Sequence, residues 1–541
     1  MLRSCQEENI KPLSGNKYGI IPSWISGSLV QNGPGKFSFG SEVFKHLFDG
    51  SALVRKFKIA DGEVSYQCQF VKTESYKVST YLYKSTYYAR RCAVLLDNFI
   101  SFSFQNNLAA NKIVVPEFGT AVRQKWWTRL RSLRRNMMSD NTMITVYPFN
   151  GSLYTFYESP HLHRLDSDLN TVGAENLTRL NLLSHASHPH YDEHGNMITM
   201  GLGLGLFGPK YKITKFHKTN PPELLTDCYQ RQVSKTCSKI FNPSYMHSFS
   251  MTENFYVLIE QPLSVSVTAA ASAMIKGRPL SSSLRWDGNT DVKFHLLNKK
   301  TGRKFPIKFV SKAFFFLHTI NAYEEADHMV VDICCYDSPA MMDLMFIEKL
   351  QAAQTDHNYA PLFRGRPKRF VLPLKPVPPY HHDQVTLKRA DACAHFIDVN
   401  TMVVEPSLIA DVGCETPAIN YEVANGKSYR YFYAITSDVD ADNAGKLMKV
   451  DTWSGHVITW QEENVYCSEP VFLSRPGARV EDDGVLVFSI IWGKPHVHKT
   501  GIVFVEASNL ETIGRVHFNL SGPVPKPLHG CFVSSWDFVN Y

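Results

Sequence analysis

Four histidines stand in four unrelated local contexts, and imidazole is the most versatile metal ligand available to a protein. They are His188 in Ser187-His188-Pro189-His190, His247 in Pro243-Ser244-Tyr245-Met246-His247-Ser248-Phe249, His318 in Leu317-His318-Thr319-Ile320-Asn321, and His529 in Leu528-His529-Gly530. The gaps between them are 59, 71 and 211 residues, far outside the spacing of zinc fingers and of helical His pairs. Taken singly, one histidine among the chain's 21 is more often structural than a ligand. The four become a metal site only if the fold brings distant segments onto one axis. A β-propeller does so, because the inner strands of all its blades line a single channel. His190, two residues after His188, is left out of the set.

The elements that would position them are legible in the texture of the chain. Short β-branched and aromatic runs alternate with Gly, Asp, Asn and Pro, the pattern of strands and tight turns. One hairpin type recurs. Leu53-Val54-Arg55-Lys56-Phe57-Lys58-Ile59 turns through Ala60-Asp61-Gly62 into Glu63-Val64-Ser65-Tyr66. Phe294-His295-Leu296-Leu297 meets Asn298-Lys299-Lys300-Thr301-Gly302, and Leu447-Met448-Lys449-Val450 meets Asp451-Thr452-Trp453-Ser454-Gly455. Looser copies begin at Asp166 and Glu506. Repeated antiparallel units of this kind fit propeller blades or a β-sandwich with recurrent turns, and their uneven spacing requires long insertions.

A chain of 541 residues with 44% hydrophobic content can bury a large core. No low-complexity or Pro/Ser-rich linker divides it, so residues 1–541 are read as one domain. The first nine residues, Met1-Leu2-Arg3-Ser4-Cys5-Gln6-Glu7-Glu8-Asn9, lack the apolar core of a secretory leader. No run reaches the roughly 18 apolar residues of a membrane span. The expected location is therefore cytoplasmic. The eleven cysteines contain no CxxC pair and are read as reduced thiols used mostly as small hydrophobes.

The net charge of +7 is concentrated. Arg123, Lys125, Arg129, Arg131, Arg134 and Arg135 fall within residues 122–138, which contain no acidic residue. In the same segment Val122, Trp126, Leu130, Leu133 and Met137 recur at the period of one helical face, and Trp127 widens it. A helix with that apolar face and a cationic opposite face suits an anionic bilayer surface; the alternative is a helix packed on the protein core with solvated arginines. Because the cations interleave with a single apolar face, nucleic-acid binding is not expected.

The histidine contexts, with Asn32-Gly33-Pro34-Gly35, Phe48-Asp49-Gly50-Ser51-Ala52-Leu53-Val54, Glu117-Phe118-Gly119-Thr120, Ser468-Glu469-Pro470 and Glu481-Asp482-Asp483-Gly484-Val485, resemble the carotenoid cleavage oxygenase family. The motifs run in the family's order over nearly the whole chain. Gly413-Cys414-Glu415-Thr416-Pro417, Tyr429-Arg430-Tyr431-Phe432-Tyr433-Ala434 and Glu260-Gln261-Pro262-Leu263-Ser264-Val265-Ser266 look most like its insect carotenoid isomerooxygenase branch.

The resemblance implies an all-β fold, a seven-bladed β-propeller with a dome of loops and short helices over one face. It implies iron(II) held by His188, His247, His318 and His529, with molecular oxygen as co-substrate. Relatives often carry two adjacent histidines where this chain has His318-Thr319, so one candidate remains there. Glu158, Glu415 and Glu469 would orient His247, His318 and His529 respectively, leaving His188 without a carboxylate. Phe118 and Tyr157 would lie along the substrate. The implied reaction is cleavage of a carotenoid at its central 15,15′ double bond to retinal-type aldehydes, with trans-to-11-cis isomerisation of one half. A retinyl-ester isomerohydrolase and a non-catalytic carotenoid or retinoid carrier are the rival readings. Peripheral membrane contact would come from Val122, Trp126, Trp127, Leu130, Leu133 and Met137. Residues 265–275 would lie near the tunnel mouth or form plain helical core. The Pro-Asp-Pro-Cys element of some relatives is missing, so no lipid attachment is carried over.

Overall fold

The computed structural model describes the chain except residues 1, 40–41, 82–117, 121–137, 207, 277, 353–357, 378–381, 389–390, 441–444 and 535–541. Short strands with apolar residues on the buried positions dominate the described residues, and they pair into seven antiparallel blades around one axis, the expected propeller. Two of the blades are completed by segments from the opposite end of the chain. The first blade, built on Gly27–Asn32, Ser51–Ala60, Glu63–Phe70 and Asn9–Ser14, takes His529–Ser534 as its innermost strand. The seventh, built on Gly484–Trp492, Lys499–Glu506 and Thr512–Asn519, takes Asn16–Gly19 as its outermost strand. Hydrogen bonding at both seams closes the ring and leaves few free sheet edges.

The recurrent hairpins sit inside blades where the sequence pattern places them. Ala60 faces Glu63 across a two-residue turn in which Asp61 and Gly62 have φ of 53° and 71°, the left-handed pair that matches strand twist. Gly302 and Gly455 take the same region after longer loops, at 70° and 71°. In the looser copies buried leucines do so instead, Leu169 at 68° and Leu510 at 63°; each is fixed by burial at its loop end. One connection departs from simple blade order. Thr401–Glu405, which follows the fifth blade's long strands, returns to the fourth blade and pairs in parallel with Lys308–Ser311.

The dome is knit from segments 44–49, 118–120, 340–352 and 358–363. His46 bridges Phe346, Leu47 N–H donates to the Met345 carbonyl, and Ile347 N–H donates to Lys45. Its organising group is the Asp49 carboxylate, which accepts from Gly119 N–H at 2.8 Å, the Thr120 hydroxyl at 2.6 Å and His46 N–H at 3.0 Å. The two motifs around Asp49 and Gly119-Thr120 are thus halves of one hydrogen-bonded unit. Burial lifts the Asp49 carboxyl to about 6 despite those donors. Beneath it, Phe48, Phe118, Tyr157, Leu317, Met341, Phe363 and Val533 share one apolar cluster between dome and propeller.

Candidate metal centre

Each ligand candidate lies on or beside the innermost strand of a different blade. His529 opens the strand His529–Ser534 of the first blade, opposite Asn32. His188 sits between Ser184–His185 and His190–Tyr191 in the third, where the Ser187-His188-Pro189 run interrupts the inner strand. His247 precedes Ser250–Met251 in the fourth, and His318 lies within Phe315–Glu325 of the fifth. The ladder shifts register on both sides of Thr319, and such irregularities re-aim side chains at functional sites.

The other three blades supply the glutamates. Glu158 follows Ser152–Phe156 in the second blade, Glu415 opens Glu415–Ala418 in the sixth, and Glu469 lies between Val465–Cys467 and Val471–Ser474 in the seventh. Every blade therefore contributes one residue to the centre.

The four imidazoles converge. One nitrogen from each lies within 4.8 Å of those from the others. His247 Nε2 is 3.2 Å from His188 Nε2 and 3.2 Å from His318 Nε2. The rings meet edge to face, His188 lying 4.5 Å from His529 between centroids. His247 Nδ1 contacts the Glu158 carboxylate, His318 Nδ1 lies 2.5 Å from Glu415 Oε2, and His529 Nδ1 lies 3.0 Å from Glu469 Oε1. A carboxylate on Nδ1 fixes the tautomer with its proton there, so the Nε2 lone pairs face inward. Lone pairs 3.2 Å apart repel unless a cation lies between them. A cation held by one nitrogen of each ring would relieve that repulsion. The donor set fits such an ion.

His188 differs from the other three. Its Nδ1 has the Tyr147 hydroxyl at 3.4 Å in place of a carboxylate. Enclosure and the three neighbouring rings hold its imidazole well below the ordinary value, and burial does the same for His247. Both are neutral and ligand-ready. Burial alone would raise the carboxyls of Glu158 and Glu415, but the histidines beside them carry both below the usual carboxylate range. They remain anions that accept from Nδ1–H.

Sequence reasoning missed a layer of tyrosines. Tyr245 donates to Glu158 Oε1 at 3.3 Å and Tyr336 donates to Glu415 Oε1 at 2.6 Å. Burial pushes the phenols of Tyr147, Tyr245 and Tyr336 well above their ordinary value, so all three stay protonated. Tyr245 lies inside the His247 motif and could have been singled out there; Tyr147 and Tyr336 carry no local signal. Gln261 ties the fourth and fifth blades together, donating to the carbonyls of Tyr245 and Phe316 and accepting from Phe316 N–H, each at 3.1 Å. The Thr145 hydroxyl donates to the Ser187 carbonyl at 2.6 Å and so positions His188. His190 is held elsewhere, with Nε2 2.8 Å from the Phe249 carbonyl and Nδ1 3.0 Å from the Tyr421 hydroxyl.

Phe118 and Tyr157 are both buried in the apolar cluster under the dome, Phe118 packing on His46 at 4.6 Å between centroids. That cluster also takes in Leu317, Tyr245 and Leu528, which lie within two residues of His318, His247 and His529. Val122, Trp126, Trp127, Leu130, Leu133 and Met137 lie outside the described residues. No helix among the described residues is long and apolar enough to cross a membrane. The 265–275 region forms the helix Val267–Lys276, with Ala273 buried and Val267 and Ile275 exposed.

The family model described as RPE65, retinal pigment epithelial membrane protein, matches residues 2–534. The carotenoid isomerooxygenase of Galleria mellonella is 39% identical, over 98% of this chain and 96% of its own length. That of Drosophila melanogaster is 36% identical, over 98% and 92%. A Synechocystis apocarotenoid oxygenase variant superposes with a TM-score of 0.74 at 20% identity, covering 98% of this chain and 97% of its own. With the family model matched over residues 2–534 and a relative 39% identical over 98% of this chain's length, the chain belongs to the RPE65 and carotenoid oxygenase family.

Proposed function

We propose that this protein is an iron(II)-dependent dioxygenase that cleaves a carotenoid at its central 15,15′ double bond to two aldehydes and converts one half from trans to 11-cis. The observation that carries the reading is the convergence of four imidazoles, three of them oriented by buried carboxylates, with no carboxylate in the converging set. Iron bound there would supply the activation of dioxygen. The similarity to two insect proteins named carotenoid isomerooxygenase supports coupling of cleavage to isomerisation.

The chain's own residues supply positioning and exclusion of water. His188, His247, His318 and His529 would hold the ion, while Glu158, Glu415 and Glu469 keep the ring protons on Nδ1. Phe118 and Tyr157, within the apolar cluster beside the ligand-bearing strands, would pack on the conjugated chain; aromatic faces also stabilise positive charge developing along a polyene.

Delivery of so insoluble a substrate calls for contact with a bilayer, and one exposed apolar surface supports it. Leu206 is 96% exposed at a hairpin tip and Phe241 is 70% exposed. The Phe241 carbonyl accepts from Val267 N–H at 3.0 Å, joining it to the helix Val267–Lys276. A Cβ on Gly208 would lie 2.7 Å from Ile240, so the hairpin adjoins the same patch. Ser281 N–H, just after that helix, donates to the Phe118 carbonyl, where the chain leads into the basic segment 122–137.

The test is product analysis. Iron-loaded protein incubated with a carotenoid in detergent should yield oxygen-dependent aldehydes, one 11-cis and one all-trans. An oxygen-independent alcohol formed from a retinyl ester would favour the isomerohydrolase reading, and binding without turnover would favour a carrier.

A further inference from the structure

His188 and His247 come from neighbouring blades, yet their Nε2 atoms stand 3.2 Å apart. The third blade must therefore be fixed against the fourth at that point. Within the fourth blade, the chain leading to His247 is tied along residues 261–265. Tyr245 N–H donates to the Leu263 carbonyl, Val265 N–H to the Pro243 carbonyl and the Ser244 hydroxyl to the Gln261 carbonyl, each at 2.8 Å. From the third blade, Ser187 N–H donates to the His247 carbonyl at 3.1 Å, and the Tyr211 hydroxyl accepts from Ser244 N–H at 2.8 Å.

Tyr211 lies within Gly208–Phe216. Because its oxygen accepts from Ser244, its single proton is free to go to Glu260 Oε1, 2.9 Å away. Glu260 ends the strand Phe255–Glu260 of the fourth blade and is buried. Its carboxylate gathers further donors. Oε1 accepts from Ser238 N–H at 2.9 Å, and Oε2 accepts from the Ser238 hydroxyl and, at 3.0 Å, from His295 Nε2–H. Burial opposes the charge, but the hydrogen bonds from His295 and Ser238 outweigh it and hold the carboxyl below its usual range. Burial brings His295 down to about 4, so the ring is neutral, and its Nδ1 has no partner. Ser238 and Ser244 bracket residues 239–243, where Phe241 is exposed. Glu260 thus grips the chain on both sides of that exposed tip, at Ser238 directly and at Ser244 through Tyr211.

We propose that Glu260, acting through the Tyr211 hydroxyl, is a positioning residue for His247: it sets the spacing of His247 from His188 and so the geometry of the metal they share. The inference rests on the metal site proposed above. It touches neither the ion nor the carboxylates on Nδ1, and it acts on the backbone three residues before the ligand. Tyr211→Phe removes both hydrogen bonds of the hydroxyl and leaves Ser244 N–H buried without that acceptor, while the ring keeps its place in the apolar cluster with Phe249, Tyr256 and Leu258.

The second blade supplies a matched control. The Tyr154 hydroxyl, equally buried, donates to Glu175 Oε1 at 2.9 Å and accepts from Leu225 N–H at 3.3 Å, but the chain it ties down carries no ligand. Cobalt(II) is loaded into the full chain and its variants, its visible ligand-field bands are recorded, and its Kd is measured by competition with a chelator. Tyr211→Phe should shift the bands and raise the Kd about tenfold, the lower end of what loss of an outer partner costs. Tyr154→Phe should lower thermal stability and leave bands and Kd as in the parent. Glu260→Gln should keep the parent's bands. Its amide oxygen can accept from Tyr211 and from Ser238 N–H, while its NH₂ faces His295, whose proton can move to the unpartnered Nδ1. The proposal is overturned if folded Tyr211→Phe keeps the parent's bands and Kd, or if Tyr154→Phe moves them as far. Should Tyr211→Phe fail to fold, Glu260→Asp decides: it draws the carboxylate back by one methylene and must shift the bands, and unshifted bands there overturn the proposal. A parent chain that binds no cobalt(II) would bring down the metal reading and this inference together, whereas a parent that binds it with Tyr211→Phe indistinguishable would bring down this inference alone.

Discussion

At the residue scale, His247, His318 and His529 share one division of labour: one ring nitrogen faces the other imidazoles and Nδ1 is held by a buried carboxylate. Removing the inward nitrogen should be the most damaging change. His529→Ala is expected to abolish both stoichiometric iron binding and cleavage, and full activity in that variant would remove His529 from the ligand set. Removing an outer carboxylate should be milder. In Glu469→Gln an amide oxygen can still accept from His529 Nδ1–H, but its NH₂ would face Gly530 N–H, now 2.9 Å from Glu469 Oε2. Iron retention should fall about 10–100-fold with the fold intact, measured by competition with a chelator. Tyr147→Phe should cost less than that, since the contact it removes from His188 is 3.4 Å long. The ligands and carboxylates were legible because each sits in a distinctive local motif. Tyr147 and Tyr336 were not, because their role arises only where separate blades meet.

At the scale of elements, the hairpin turns carried the fold into the sequence. Asp61-Gly62 could be read directly, and Asn150-Gly151, both in the left-handed region, carries the same signal for the second blade. Leu169 and Leu510 do the same work without glycine, which makes those turns look looser than they are. The return of Thr401–Glu405 to the fourth blade was invisible, because parallel pairing leaves no turn signature. In the dome, Asp49 offers a pH test. Its folded value is raised from 3.8 to about 6, so its favourable contribution is complete below 3.8 and is lost as pH rises through 6. Relative to Asp49→Asn, which has no titrating group there, the parent should lose thermal stability across that window. Parallel curves for the two proteins would show that Asp49 does not titrate in this way.

At the scale of the whole molecule, a ring of seven blades turns residues hundreds of positions apart into neighbours, and the closing strand at the C-terminal end of the described chain brings His529 to the other three histidines. The same geometry gathers the exposed residues of a hairpin tip, a loop and a short helix onto one face. Leu206→Ser with Phe241→Ser should lower sedimentation with anionic liposomes and activity on membrane-borne carotenoid, while activity on detergent-dispersed substrate is largely spared. Equal liposome binding by the double variant would separate this face from the bilayer. The central claim, one iron held by four blades and oriented by the other three, is tested most directly by anomalous diffraction at the iron edge from crystals of iron-loaded protein. The expected result is a single peak about 2.1 Å from one nitrogen of each of His188, His247, His318 and His529; a peak elsewhere, or one bonded to an oxygen of Glu158, Glu415 or Glu469, would contradict it.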